Sequence, residues 1–401
     1  MESVTSSETH PISIRRSLLV LLFARTILDT GFRIIYPFLP FVASDLGVTT
    51  ASAAQIVQVR NLTGFLSPLF GPLSDRYGRR VILLVGLVIS AVFGIAVYFV
   101  SSLWMAILVL TLMGFSTILF VPAQQAFFGD NVPYERRGRV MAIAEFSWAF
   151  AAIIGLPLVG ILVQARGWRS GYVAIGILAA LAFVLVAIVL PRQKQNAEHA
   201  ARPMRGSYLE ALRAPMALAV IAAEFLLAAT NEIVNVNYAV WLSTSFGFDA
   251  VAMGAVASAI GFAEFGGDLS VALFVDRIGK WKMVAGGLVL SGATYLALPF
   301  MGQNAIWGII GLVLVFFMFE LTLVAAIPFI AELAPNARAT LITLDIAGFA
   351  LGRFLGSIVG PTIFESFGFA ASSFVSAAGI FVACLIWFLF VREKHSEVAS
   401  T

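Results

Sequence analysis

The stretch GPLSDRYGRR, residues 71–80, has a counterpart in ALFVDRIGKW, residues 272–281. Within the two stretches, Asp75-Arg76-x-Gly78-Arg79 matches Asp276-Arg277-x-Gly279-Lys280 at an offset of 201 residues. Each stretch follows an apolar segment, the second and the eighth along the chain. A repeat of about half the chain length indicates that the protein consists of two similar halves.

The composition is that of a protein embedded in a bilayer. The chain has 401 residues, of which 60% are hydrophobic and only 12% are charged, and its mean hydropathy is +0.96. Soluble domains are about half apolar and about a quarter charged. We expect an all-α membrane protein, and we expect no cleaved signal peptide, because residues 1–16 are polar and no small-residue cleavage site follows a separate apolar core.

Twelve segments are long and apolar enough to cross a bilayer, which requires about 20 residues each. We number them as spans one to twelve. They cover residues 17–42, 51–73, 81–100, 103–128, 138–165, 171–190, 215–245, 250–275, 281–300, 304–333, 338–366 and 370–391.

Basic residues fix the orientation of these spans. If both termini are cytoplasmic, nineteen of the 25 Lys and Arg lie in cytoplasmic segments and only Arg166 and Arg169 lie in outer loops. This asymmetry is the one that the positive-inside rule requires. We therefore expect a multi-pass protein of the cytoplasmic (plasma) membrane with both termini in the cytoplasm.

A single long polar stretch, residues 191–214, divides the chain into a six-helix bundle at residues 1–190 and a second at residues 215–401. We interpret it as a cytoplasmic linker. The chain has one cysteine, Cys384, and its three histidines lie in polar tails or in this linker, so we expect no metal site. It also lacks a GxxxxGK[ST] nucleotide loop and a nucleophile elbow, which argues against an ATP-driven pump and against an enzyme.

The motif at 71–80 resembles GxLaDrxGRrr, the signature of the major facilitator superfamily, in the loop where that family carries it. The resemblance extends over the whole chain. It implies twelve helices in two pseudo-symmetric six-helix bundles, and alternating access to a substrate site between them. It implies a transporter that works as a monomer. Its expected partners are a small-molecule substrate and the lipid bilayer, and we expect no binding of nucleic acid.

The resemblance also implies a cytoplasmic gate around the motif. Gly71 would allow close packing of span two on span eleven, and Asp75 would interact with the amino-terminal end of span eleven, which is favourable for a carboxylate. The expected gate residues are Gly71, Asp75, Arg76, Gly78, Arg79, Arg80, Glu145, Asp276, Arg277, Gly279, Arg338 and Asp345.

Charges inside the spans mark the expected transport pathway, since buried charges face a bundle interior or water. Apart from Lys282 at the cytoplasmic end of span nine, spans three, six, nine and twelve contain none, and in the superfamily those four face lipid. The expected proton-coupling and cavity residues are Asp29, Arg25, Arg33, Arg60, Glu224, Asn231, Glu232, Asn235, Glu264, Asp268 and Arg353.

Asp29 lies near the membrane middle, with Arg25 and Arg33 one helical turn away on either side. A carboxylate that alternates between an arginine partner and an apolar cavity can bind and release a proton. The alternative is a static brace that holds span one to span two, where Arg60 approaches the level of Arg33. Both interpretations stay open at this stage.

The other buried polar groups also allow two interpretations. Glu224, Asn231, Asn235 and Tyr238 share one face of span seven, either as cavity lining or as helix–helix hydrogen bonds. Glu264 and Asp268 in span eight form a possible second protonation site. Three carboxylates nearer the cytoplasmic ends are either further protonation sites or gate partners, namely Glu145, Glu320 and Asp345.

Two further stretches resemble branches of the superfamily. YPFLPF (36–41) resembles the PxxP pattern of twelve-span drug–proton antiporters, although Leu110 occupies the place of their span-four arginine. GLPLVG (155–160) in span five, with Gly155, Pro157 and Gly160 as a flexible element, is more similar to the sugar-efflux-like branch.

The leading functional hypothesis is a proton-coupled efflux antiporter of a small organic solute, with no cofactor other than protons as coupling ion. One alternative is a symporter or uniporter of an anionic solute bound by Arg25, Arg33, Arg60 and Arg353. Another is a lipid or lysolipid transporter of the same fold, for which a side opening between spans five and eight would be the structural sign.

Overall fold

The computed structural model describes residues 14–66, 73–74, 76–191, 216–333 and 338–392. Every regular element in this part of the chain is helical. The predicted linker 191–214 lies, apart from Pro191, outside the described residues, as do Gly71 and Asp75.

Most predicted spans correspond to one helix each. The helices are Ile14–Arg33 and Ile35–Leu46 in span one, Thr50–Thr63 in span two, Arg79–Ala96 in three, Leu103–Asn131 in four, Tyr134–Phe150 and Leu156–Arg166 in five, Trp168–Val189 in six, Ala217–Asn235 and Tyr238–Phe246 in seven, Ala250–Ile278 in eight, Lys280–Met301 in nine, Ala305–Leu333 in ten, and Arg338–Phe390 in eleven and twelve.

Nine helices of the described residues are long and apolar enough to cross a membrane. One of them, Leu341–Phe390, has 50 residues, more than twice the length of a crossing. Its backbone breaks at Gly368, with φ 78° and ψ 179°, so it counts as two spans. Spans one and two, which carry buried charges, are not among these nine helices, and for them the count of twelve stays a prediction.

The two halves repeat each other in backbone conformation. Gly78 and Gly279, 201 residues apart, have φ 90° and 91° and precede spans three and nine. Gly47 and Gly247 both end a helix in the left-handed region, at φ 65° and 67°. Such conformations favour glycine because a Cβ is crowded there. The repeat found in the sequence is therefore a repeat of structure.

Three spans are interrupted within the membrane. Span one has a turn at Ile34, just before Pro37 and Pro40, and span seven has a two-residue break at Val236 and Asn237. In span five, Ala151–Gly155 forms a π-helix. We expected Glu224, Asn231, Asn235 and Tyr238 to share one helix face of span seven. The first helix of this span ends at Asn235, so Tyr238 belongs to the next helix. The helical period cannot reveal a break that tertiary packing imposes.

We call the membrane face at which residues 14, 191, 216 and 392 lie the terminal face, and the opposite one the distal face. Spans one to six form the amino-terminal half and spans seven to twelve the carboxy-terminal half. Near the distal face spans five and eight pack closely, since a Cβ on Gly160 would lie 2.6 Å from the carbonyl oxygen of Ala250. Spans two and eleven also meet across the halves, where a Cβ on Gly64 would contact Ala350.

Candidate functional site

Glu232 in span seven is the centre of a polar network between the halves. Its side chain is fully buried. It accepts hydrogen bonds from the Tyr36 hydroxyl at 2.8 Å and from Asn61 Nδ2 at 2.9 Å, both in the amino-terminal half. Arg353 of span eleven donates through Nε at 2.9 Å. One carboxylate thereby holds spans one, two and eleven together; we call this set the Glu232 network.

Two further contacts complete the Glu232 network. Arg353 also donates to the Tyr36 hydroxyl at 2.9 Å, so this hydroxyl accepts from the arginine while it donates to the carboxylate. Asn235 Nδ2 lies 3.4 Å from Glu232 Oε2. A buried carboxylate is stable when its oxygens are paired and hydrogen-bonded in this way. Breaking the network would leave charges in an apolar interior.

Arg33 and Glu264 form a second link between the halves. The guanidinium of Arg33 in span one donates twice to Glu264 of span eight, at 2.7 and 3.0 Å. Both residues are buried, and the guanidinium carbon lies 4.4 Å from the ring centre of Trp148. A two-point pairing of this kind fixes the relative position of the two helices.

Asp29 belongs to a different network, within the amino-terminal half. It is 1% exposed, accepts a hydrogen bond from Ser147 Oγ at 2.7 Å, and lies 3.6 Å from Arg25 Nε. Arg25 pairs at 2.8 and 2.5 Å with Glu145 of span five, whose side chain is half exposed. Gln125 Nε2 lies 3.4 Å from the same carboxylate.

The sequence left open whether Asp29 pairs with Arg25 or with Arg33. The structure places it beside Arg25, because Arg33 is taken by Glu264. The alternative interpretation was a brace that holds span one to span two. Asp29 instead accepts a hydrogen bond from Ser147 of span five.

Four buried or partly buried carboxylates within the spans have no lysine or arginine within 4 Å among the described residues. They are Glu224, Asp268, Glu320 and Asp345, in spans seven, eight, ten and eleven, all of the carboxy-terminal half. Glu224 is 2% exposed. Glu224 Oε2 and Asp345 Oδ1 are buried without a hydrogen-bond partner, as is Asn231 Nδ2. Acidic charge inside this half therefore exceeds basic charge.

Arg60 has the opposite imbalance. It is 4% exposed, and among the described residues no carboxylate lies within 4 Å of it. Its Nη1 donates to the carbonyl oxygen of Phe32 at 2.5 Å, while Nε and Nη2 have no partner. The guanidinium lies over the rings of Phe32 and Tyr36.

This architecture of two repeated halves joined by buried polar groups can be compared with that of known proteins. The sequence model of the Major Facilitator Superfamily matches residues 21–223 and, a second time, residues 220–401. The chain belongs to the major facilitator superfamily. It is accordingly a transporter and not an enzyme.

Superfamily relatives resemble the chain over most of its length at low identity. An uncharacterized MFS-type transporter, YceJ of Bacillus subtilis, is 25% identical over 85% of this chain and 87% of its own. The multidrug resistance protein MdtG of Enterobacter lignolyticus is 24% identical over 92% and 91%. The inward-facing, occupied crystal structure of a bacterial homolog to the human lysosomal transporter Spinster has a TM-score of 0.73, with 15% identity and coverage of 93% and 95%.

The superfamily motif places its basic residues on neighbouring helix ends of the amino-terminal half. Arg79 donates to Asp130 of span four at 3.1 Å and to Ser74 at 2.7 Å. Arg80 donates to the carbonyl oxygen of Ala187 in span six at 2.5 Å. Arg76 lies beside the Tyr77 ring. Arg79 and Arg80 thus contact neighbouring helix ends, and their part in a gate stays a prediction.

The degenerate motif copy lies at the terminal face of the other half. Asp276, Gly279 and Lys280 line a cavity there of about 210 Å³, and Lys280 pairs with Glu332 of span ten. Arg277 is exposed. The side chain of Arg338 lies outside the described residues, and the gating role of the whole set stays a prediction.

The glycine–proline element of span five packs against both neighbours. Gly155 ends the π-helix and contacts Thr30, so that an added Cβ would overlap the Thr30 hydroxyl. Gly160 contacts Ala250, and Pro157 contacts Gly254. A π-helix is common at functional sites. The flexibility predicted for this element stays a prediction.

Sequence reasoning missed several partners in these networks. Tyr36 was noted only as part of a proline pattern, and Ser147 and Trp148 were not singled out. Asn61 occurs in an Asn-Leu-Thr glycosylation pattern, which has no meaning inside a span. A side-chain amide within a span is unfavourable unless it has a hydrogen-bond partner. The position of Asn61 within span two therefore already indicated that its amide has a partner.

Proposed function

We propose that the protein exports small organic cations in exchange for protons. The observation that carries the proposal is the excess of buried and partly buried carboxylates around the middle and the terminal part of the spans. Five carboxylates lie there, with only Arg25 to balance them within 4 Å among the described residues. They are Asp29, Glu224, Asp268, Glu320 and Asp345.

An isolated carboxylate in an apolar interior is too costly to persist as a free anion. It must bind a proton, an arginine or another cation. An interior with more carboxylates than arginines can therefore be occupied alternately by protons and by a cationic solute, which is the requirement for antiport. Asp29 is the expected coupling residue because it borders both Ser147 and the Arg25–Glu145 pair.

The printed names of relatives agree with export of foreign organic compounds. MdtG is named a multidrug resistance protein, and another relative, from Lactococcus lactis, is a multi-drug resistance efflux pump PmrA homolog. At 21–24% identity these names support the class of activity and no particular compound. We place the protein in the plasma membrane as a monomer, with the terminal face in the cytoplasm.

The anion-binding alternative is weakened by the pairing of its arginines. Arg25, Arg33 and Arg353 are each bound by a carboxylate at 2.5–2.7 Å. A solute anion would have to displace these carboxylates. Of the four proposed clamp residues, Arg60 is the one for which no carboxylate of the described residues lies within 4 Å.

The lipid-transport alternative is weakened by the packing of spans five and eight. Gly160 and Gly254 let the two backbones approach closely, and Gly261 contacts Ala152 about two turns further along. The rings of Phe146 and Phe265 continue the contact, with centres 5.6 Å apart. This seam leaves no side opening between the two spans along these residues.

The test uses inverted membrane vesicles with an internally acid pH gradient reported by a dye. Lipophilic cations, organic anions, sugars and lysolipids are added in separate arms. We expect lipophilic cations to collapse the gradient in wild type and to lose this effect in Asp29→Asn. A gradient collapse by anions alone, or by no class, would contradict the proposal.

Asp45→Asn is the matched control. Asp45 is also a carboxylate of span one, but it lies near the distal face and is paired with Arg169 and Trp168. It should transport as wild type does. If Asp29→Asn keeps full proton-coupled transport as well, Asp29 has only a structural role.

A further inference from the structure

Two polar side chains occupy equivalent positions at the distal ends of spans five and eleven. Gln164 and Glu365 are 201 residues apart, which is the offset of the sequence repeat. Each lies three residues before a glycine at which its helix ends or breaks, Gly167 and Gly368. These glycines have φ 80° and 78°. The repeat therefore extends to this pair of residues, which the proposed function does not use.

Each of the two side chains reaches across to the other half. Glu365 Oε1 accepts a hydrogen bond at 3.3 Å from the backbone N–H of Ala51, in the first turn of span two. Gln164 Oε1 accepts one at 3.1 Å from the backbone N–H of Ala250, in the first turn of span eight. The first N–H groups of a helix have no acceptor within the helix. Each half thus supplies an acceptor to a helix start of the other half, and we call these two contacts the distal caps.

The two helix starts differ in the source of their negative charge. Each also has an acceptor from its own half, which is the hydroxyl of Thr49 in span two and the carboxylate of Asp249 in span eight. Among the described contacts, each helix start therefore receives one carboxylate and one neutral oxygen. The carboxylate comes from the other half only in span two, where it is Glu365.

Glu365 lies at the unfavourable end of its own helix. A carboxylate is stabilised near the N-terminus of a helix and destabilised near the C-terminus, and Glu365 is three residues before the break at Gly368. The start of span two compensates for this position only while the two halves meet. Separation of spans two and eleven leaves the carboxylate beside the negative end of its own helix dipole.

We propose that the distal caps form a latch, and that Glu365 is its charged part and sets how often the distal face opens. Opening separates Glu365 from span two, whereas Asp249 moves with the helix that it caps. Glu365 is exposed, and salt screens the interaction of an exposed carboxylate with a helix dipole. Opening therefore responds to the ionic strength at the distal face. The latch does not depend on which solute is carried, so it stands whether or not the protein exports cations.

The experiment measures how fast a cysteine between spans two and eleven reacts with a water-soluble maleimide. Ala54 is fully buried and lies one turn before Gln58, whose amide donates to the carbonyl oxygen of Ser357 in span eleven. In a Cys384→Ala background, Ala54→Cys should react only while the two spans are apart. Its labelling rate is then proportional to the fraction of molecules that are open.

Glu365→Gln keeps a side-chain oxygen for the N–H of Ala51 and removes the charge. The lost attraction to the helix start should raise the labelling rate about two- to fivefold. In the protein that retains Glu365, an increase in NaCl from about 0.01 M to about 1 M shortens the screening length about tenfold. It should raise the rate by a similar factor, whereas Glu365→Gln should show little response to salt.

Asp249→Asn is the matched control. It also removes a carboxylate from a helix start at the distal face, but the contact that it changes lies within one half. It should label at the rate of the protein with Asp249 and keep the salt response. An unchanged rate in Glu365→Gln would overturn the proposal, and so would an equal rise in Asp249→Asn.

Discussion

The two ends of the bundle differ in how their charged side chains are paired. In the middle and toward the distal face, arginine–carboxylate pairs and hydrogen bonds cross between the halves, as in the Glu232 network and the Arg33–Glu264 pair. Toward the terminal face, the described ion pairs stay within one half, as in Arg25–Glu145, Arg79–Asp130 and Lys280–Glu332.

This difference has a mechanical consequence. The halves can separate at the terminal face without breaking any of these three pairs, whereas separation at the distal face breaks buried pairs that cross the halves. Breaking a buried pair leaves a desolvated charge and costs several kcal/mol. The charge pattern therefore favours an arrangement closed at the distal face. Opening of the distal face requires that these carboxylates bind protons or other cations in place of their arginine partners.

The largest effect is expected for Arg353→Gln. It removes the cation from the fully buried Glu232 and should lower the free energy of unfolding by about 3–5 kcal/mol. The double variant Glu232→Gln/Arg353→Gln replaces both charges and should recover much of this loss. The measurement is a double-mutant cycle of unfolding midpoints in detergent. Losses that simply add would show that the two side chains do not interact.

A smaller effect is expected where the backbones of spans five and eight meet. Gly160→Ala places a Cβ against the carbonyl of Ala250 and should destabilise the distal-closed arrangement by about 1–3 kcal/mol. Gly138→Ala, near the terminal end of span five with no atom in contact range, is the control and should be neutral or slightly stabilising. Equal midpoints for the two variants would mean that this seam is not close-packed.

The smallest effect is expected at the terminal face. Lys280→Gln breaks a pair with Glu332, whose side chain is 59% exposed, and should change stability by no more than about 1 kcal/mol. Thermal unfolding of this variant beside Arg353→Gln checks the contrast between the two faces. A loss as large as that of Arg353→Gln would remove the distinction.

The amino-acid sequence was sufficient for the fold because its signals need no knowledge of tertiary contacts. Long apolar segments, the distribution of Lys and Arg over the loops and the repeated Asp-Arg-x-Gly pattern are all visible along the chain itself. Gly78 and Gly279, the glycines of this repeated pattern, share one backbone conformation.

Partner choice among the buried charges was not accessible in the same way. Asp29 and Arg33 lie one turn apart in span one, yet Arg33 pairs with Glu264, 231 residues away. Such a pairing depends on how the two halves meet, which no spacing in one helix encodes. The break after Asn235 likewise separates side chains that the helical period assigns to one face. The turn at Ile34, in contrast, has a local cause, because Pro37 has no N–H to donate to the carbonyl oxygen of Arg33.

The most direct test of the account measures distances across both faces by double electron–electron resonance. In a Cys384→Ala background, spin labels are placed at Thr50 and Ser366 near the distal face and, in a second protein, at Arg139 and Ile278 near the terminal face. Wild type is compared with Glu232→Gln/Glu264→Gln, which removes the two buried carboxylates that bridge the halves among the described residues.

The account predicts a short, narrow distal distance in wild type. In the double variant it predicts a new population at longer distal distance, together with a shorter terminal distance. Unchanged distributions at both faces in the double variant would contradict the claim that these two carboxylates hold the distal face closed.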